Sequence, residues 1–202
     1  MKHITSRIVI ALLTFIIGTA AAFWFYQSTS SKRCAYDNYF PVGAFSQSDR
    51  KVEWITQFYS AMMESPLSCL DEDTEAYRFL FLPSFEPPAS VRIWREGDQK
   101  YIEVKQLSSV GLPQYGAKDL KVNVTRSITE QEWDRFQELL RKTNFWSMPT
   151  EDGRIGLDGA SFLLEGYKSG QHHVVNRWLP EDQNYLDACS YLLEISRLEM
   201  GK

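Results

Sequence analysis

Residues 8–26, IVIALLTFIIGTAAAFWFY, carry no charge and present apolar side chains in every direction, which narrows the options for this chain more than any other stretch. At about 1.5 Å per residue a helix of this length spans roughly 28 Å, close to the ~30 Å hydrocarbon thickness of a bilayer. Two readings compete. A cleaved secretory signal would use the basic start (Lys2, Arg7), the apolar core from Ile8 to Ile17 and the small residues Gly18-Thr19-Ala20-Ala21-Ala22. An uncleaved anchor would also use Phe23-Trp24-Phe25-Tyr26, an aromatic cluster suited to the membrane interface, and is the reading adopted. It predicts a cytoplasmic tail (1–7), a transmembrane helix in contact with lipid from Ile8 to Tyr26, a polar stalk (27–33) and an extracytoplasmic domain (34–202). The protein is thereby expected to be a single-pass protein of the inner (plasma) membrane; the alternative is a secreted or periplasmic form after signal cleavage.

All 26 acidic residues lie beyond Tyr26, where they face 20 basic ones. An acidic domain with no lysine or arginine run argues against nucleic acid as a partner, because phosphate binding needs a basic face. The roughly 176 residues after the apolar run fit one domain with a real core. Of the three cysteines, Cys34 and Cys69 flank a predicted helix and form the expected disulfide, against the alternative of three reduced thiols. No cysteine or histidine spacing suggests a metal site, and no cofactor is expected. The acidic loop 65–73 lacks the glycine and spacing of an EF-hand and reads as solvated.

Beyond the stalk, apolar periodicity predicts a helix from Ser48, with Val52, Ile55, Phe58 or Tyr59, and Met62 inward and Pro66 as its stop. Glu75–Leu82 reads as a central strand, apolar on both faces except at Arg78. Burial would oblige Arg78 to find a carboxylate, and Asp158 is one candidate. Residues 90–95 and 101–107 alternate about a Gly97-Asp98 turn as a β-hairpin, with Arg92 expected to face solvent. Residues 120–128 form a fourth strand. Thr129-Glu130-Gln131-Glu132 is a capping box opening a helix whose buried stripe is Trp133, Phe136, Leu139 and Leu140. A second hairpin pairs 160–167 with 171–178. The last helix, 185–198, is expected to turn Leu186, Cys189, Leu192, Leu193 and Ile195 or Ser196 inward. The fold class is α+β: a mostly antiparallel sheet of about six strands and three helices in the order α-ββββ-α-ββ-α, behind the transmembrane helix.

The stretches YSAMMESPL (59–67), AYRFLFLPSF (76–85), VRIW (91–94), ITEQEW (128–133), GLDGASFLLEG (156–166) and HHVVNRW (172–178) occur in that order over about two-thirds of the chain. In these it resembles a family of uncharacterised bacterial proteins carried behind an N-terminal apolar segment. The resemblance implies a shared scaffold and assigns no activity or catalytic residue.

The chemically richest cluster is Asp158, Glu165, His172, His173 and Arg177, followed by Trp178. Histidine beside carboxylate suits acid–base work or metal binding, but neighbouring histidines in a strand point to opposite faces and cannot easily share a metal. There is no nucleophile elbow, no HExxH and no phosphate-cradling glycine loop, so no catalytic residue is assigned. Asp158, His172, His173, Arg177 and Trp178 are therefore candidate binding residues. The expected role is a protein- or ligand-binding or structural module of the bacterial envelope, contacting another envelope protein. The alternatives are an extracytoplasmic hydrolase-like enzyme using a His/Asp pair and a toxin-immunity-type protein.

Overall fold

The computed structural model describes residues 39–45, 49–113 and 119–199. The tail, the apolar run, the stalk, Cys34, Ser48 at the expected helix start and residues 114–118 lie outside the described residues. No helix among those described is long and apolar enough to cross a membrane.

The described residues form one α+β unit. Helix α1 (Asp49–Ala61) precedes strands β1 (Glu75–Pro83), β2 (Ala89–Glu96), β3 (Gln99–Leu107) and β4 (Leu120–Ser127). Helix α2 (Glu130–Lys142), the hairpin β5 (Ala160–Lys168) and β6 (Gln171–Trp178), and helix α3 (Gln183–Ser196) complete it. The six strands make one sheet in the order β4-β3-β2-β1-β5-β6, with every neighbouring pair antiparallel. As expected for a strand apolar on both faces, β1 is central, and both of its faces are covered.

The period of two sorts each strand's side chains between two cores. Tyr77, Phe79, Val91, Ile93, Ile102, Leu164 and Val175 face α2 and α3, meeting Trp133, Phe136, Leu140, Tyr185, Cys189 and Leu192. Leu80, Leu82, Leu163 and Val174 face α1, meeting Ile55, Phe58, Tyr59 and Met62. The capping box is present as read: the Glu132 amide donates to Thr129 Oγ1, and the Thr129 amide donates to Glu132 Oε2.

Helix α3 buries Cys189, Leu192, Ile195 and Ser196 as expected, and its inward face extends to two further residues. Asp182 caps it, accepting from the Tyr185 amide, and Tyr185 and Ala188 take core positions while Leu186 and Leu193 are only half-buried. A tyrosine fits there because its hydroxyl donates to the carbonyls of Phe162 (3.0 Å) and Val175 (2.9 Å).

The α1 face of the sheet is half polar. Arg78 is fully buried, and its partners are Glu165 and Glu64 rather than Asp158. Its Nε and Nη2 donate to Glu165 Oε1 at 3.0 and 2.9 Å, and Nη1 donates to the Ser65 carbonyl at 2.7 Å and to Glu64 Oε2 at 3.3 Å. The guanidinium lies 3.9 Å from the centroid of the Tyr59 ring, whose hydroxyl also donates to Glu165. Asp158 could not serve, because the register sets Glu165 directly opposite Arg78. Arg92, expected in solvent, is turned to this same face. It shares a register position with Arg78, is only one-fifth exposed and pairs with Glu103 at 2.7 Å. Lys105 links Glu103 (3.2 Å) to Glu64 (3.4 Å), so charged side chains run across four strands and fasten the segment after α1 to the sheet. Burial pushes the Glu165 and Glu64 carboxyls up, and the Arg78 guanidinium together with His172 and Tyr59 at Glu165, and with Arg92, Lys105 and Ser90 at Glu64, more than reverses this, holding both below the usual carboxylate range.

Candidate functional site

The five candidate binding residues of the hairpin do not converge. His172 shares the α1 face with Glu165 and donates from Nε2 to Glu165 Oε2 at 3.1 Å, closing one end of the buried polar chain. His173 points to the opposite face, edge-on to Phe145 (5.0 Å between centroids) and against Trp146 (6.1 Å). Burial depresses its pKa, and Nε2 is buried with no hydrogen-bond partner. Arg177 is buried on that same face and is spent on backbone, donating to the carbonyls of Pro149 (2.7 Å), Thr150 (2.9 Å) and Asn176 (2.8 Å). Asp158 is exposed in the loop before β5, at the opposite end of that strand from His172; seven residues at ~3.3 Å put about 23 Å between them. A His/Asp acid–base pair is therefore not assembled. Among the described residues no group of three or more metal-ligating side chains could hold an ion.

Of the five, Trp178 lines a cavity. Its ring forms part of a cleft of about 330 Å3 at the Asp158 end of the sheet. One wall is α1, through Lys51, Trp54 and Phe58; the other is the loop 154–157; the floor is Leu82, Ser161, Asn176 and Trp178. The GLDG sequence shapes the floor. A β-carbon at position 156 would fall 2.1 Å from Trp178 Nε1, so only glycine lets the loop lie on the indole. At Gly159, φ is +142° and a β-carbon would meet Leu179 and Trp178 within 3.0 Å. Ser84, just past β1, locks the loop to the sheet: its amide donates to the Gly159 carbonyl (2.8 Å), its hydroxyl accepts from the Gly159 amide (3.1 Å), and the same hydroxyl donates to the Leu157 carbonyl (3.3 Å). A Lys51–Glu151 ion pair ties α1 to the start of the same loop.

The mouth is apolar and electrically balanced. Ile155 and Leu157 on the rim are 86% and 95% exposed, and Phe85, one residue beyond Ser84, is 76% exposed. The two cations lining the cleft are each paired, Lys51 with Glu151 and Arg154 with Glu181 at 3.0 Å. On the floor Asn176 is 7% exposed, and its Oδ1 accepts from Ser161 Oγ at 2.7 Å, which leaves the amide NH2 as the group presented to the cleft. Asn176 escaped notice in the sequence although its signal was there: it alternates with His172 and Val174 on a core-facing row where an apolar residue belongs. Lys51 and Trp54 gave no such signal, since helical residues half-exposed at a cleft read like any amphipathic edge.

No protein-family model matches the sequence, and no curated protein matches it significantly.

Proposed function

We propose that this chain is a binding module of the bacterial envelope, tethered to the inner membrane by residues 8–26, with its α+β domain outside the cytoplasm and the cleft at the Trp178 end contacting another envelope protein. The tether rests on the length and uniform apolarity of the N-terminal run. The binding reading rests on one observation: a cleft whose rim carries two strongly exposed large apolar side chains, Ile155 and Leu157, on a loop fastened to the sheet by Ser84 and to α1 by the Lys51–Glu151 pair. Scattered exposed apolar residues are ordinary, but several beside one cavity mark an interaction surface.

A photoreactive phenylalanine at position 155 in cells expressing the full chain tests the reading. A discrete adduct is expected from position 155 and not from Arg135, an exposed position on α2, and Leu157→Asp in the same chain should abolish it. Adducts of equal yield from both positions, or none from 155, would overturn it.

A further inference from the structure

The cleft's chemistry goes further than the existence of a partner: the geometry points to an extended, uncharged peptide segment that inserts one apolar side chain and presents one backbone carbonyl to Asn176. This rests on the binding reading above and adds the class of ligand. Three observations carry it.

The first is the amide of Asn176. It is more than nine-tenths buried, Ser161 holds its oxygen, and its NH2 group lines the cleft without a protein acceptor. An amide donor in such a place needs an acceptor, since leaving one buried and unpaired is costly. Water serves while the cleft is open, and a ligand that expels the water must supply an oxygen. The second is the charge balance. Lys51 and Arg154 are already matched by Glu151 and Glu181, so the lining offers no unpaired cation for an anionic acceptor, and a neutral carbonyl fits. The third is size and shape. At about 330 Å3 the cleft lies at the small end of the ~300–1,000 Å3 usual for ligand pockets, room for one or two side chains between Trp54, Leu82 and Trp178. The residues flanking that side chain would then run over Ile155 and Leu157.

The mode is insertion of a side chain and not addition of a strand. The Asn176 amide nitrogen, which would begin pairing with an incoming strand at the edge of β6, already donates to the Thr150 carbonyl at 2.7 Å. Trp178 is also no open platform for a sugar ring, because Gly156 covers its indole nitrogen edge and Gly159 approaches its ring.

The test uses the full chain in lipid nanodiscs with 15N-labelled tryptophan and three probes: N-acetyl-phenylalanine-methylamide, N-acetyl-phenylalanine as the free carboxylate, and chitotriose. The neutral capped residue is expected to move the Trp54 and Trp178 indole signals saturably at millimolar concentration while leaving those of Trp94 and Trp133 in place. Asn176→Ala should weaken that response about three- to tenfold, the range a single net hydrogen bond supplies. Leu157→Ser, on the exposed rim and harmless to the fold, should weaken it less. Chitotriose or the carboxylate shifting the two signals better than the capped residue overturns the peptide assignment, as does an unchanged response in folded Asn176→Ala. Should no probe move Trp54 or Trp178 while the position-155 adduct persists, the ligand class fails and the binding reading stands; losing the adduct as well removes both.

Discussion

Replacing Arg78 with methionine isolates the polar half of the fold. The side chain is fully buried, and methionine approximates its length without its charge, so packing is largely kept while two carboxylates lose their main partner. Glu165 would retain the Tyr59 hydroxyl and His172, and Glu64 would retain Ser90 and Lys105. Breaking a buried pair from one side typically costs about 3–5 kcal/mol, because a charge is left uncompensated. In a domain of this size each kcal/mol is worth roughly 2–4 °C, so the melting temperature should fall by about 6–20 °C. The pH dependence makes the result diagnostic. Glu165 and Glu64 have folded-state pKa values below their unfolded ones, so their stabilisation is fully present above the unfolded carboxylate pKa of about 4.3 and is lost as pH falls through the folded values. In Arg78→Met the same carboxyls, buried without their cation, are relieved by protonation. Urea unfolding of both proteins at pH 7 and pH 4 should therefore show the gap between them shrinking at the lower pH. Adding Glu165→Gln should restore part of the loss, with a coupling of about 1 kcal/mol or more. A gap below about 1 kcal/mol at pH 7, or one equally large at pH 4, would refute the ion-pair account.

Gly156→Ala should destabilise the domain by about 1–3 kcal/mol and displace the Trp178 indole signal, since the new methyl cannot coexist with the ring where it stands. His173→Phe keeps the contact with Phe145 and Trp146 and removes a half-buried imidazole whose folded pKa lies below its ordinary value; the parent should lose stability as pH drops below about 6.5 and the variant should lose less, as read by denaturant midpoints at pH 7.5 and 5.5. Cys69 is disulfide-bonded and Cys189 is a free, buried thiol. With Cys34, which lies outside the described residues, as the partner of Cys69, the closed loop of about 35 residues is worth roughly 4 kcal/mol, so reductant should lower the melting temperature of the parent but not of Cys69→Ser. A phosphatase active only outside the cytoplasm, fused after Lys202, should be active on membrane-bound full-length protein; activity confined to a cytoplasmic reporter would refute the proposed topology.

Elements with a local cause were legible in advance. The Thr129–Glu132 box, the Gly97-Asp98 turn and the alternation in 160–178 each encode their structure within a few residues, and the strand and helix limits follow them closely. The centrality of β1 was legible for the same reason, since a run apolar on both faces has one stable place in a sheet. What failed depended on register. Arg78 demanded a carboxylate, but which one was decided by the pairing of β1 with β5, and that pairing joins residues 87 apart in the chain. Alternation with Val91 and Ile93 sends Arg92 to the sheet's second face, and that face is not solvent, because α1 and the charges of Glu64 and Glu103 close it.

The candidate site shows the same division from the other side. His172 and Arg177 carry the hairpin's most reactive chemistry, and the fold spends both on holding itself together. Asn176, an amide between valine and arginine, keeps a hydrogen-bonding group toward the cleft. Polar side chains in a strand thus divide by what they lack: Glu165, Arg78 and Arg177 have every strong valence met by the protein, while the NH2 of Asn176 has none of its own. An unmet donor at the floor of a cleft is a better guide to a ligand than the reactivity of its neighbours, because folding satisfies buried polar groups wherever it can and leaves open those that something else completes.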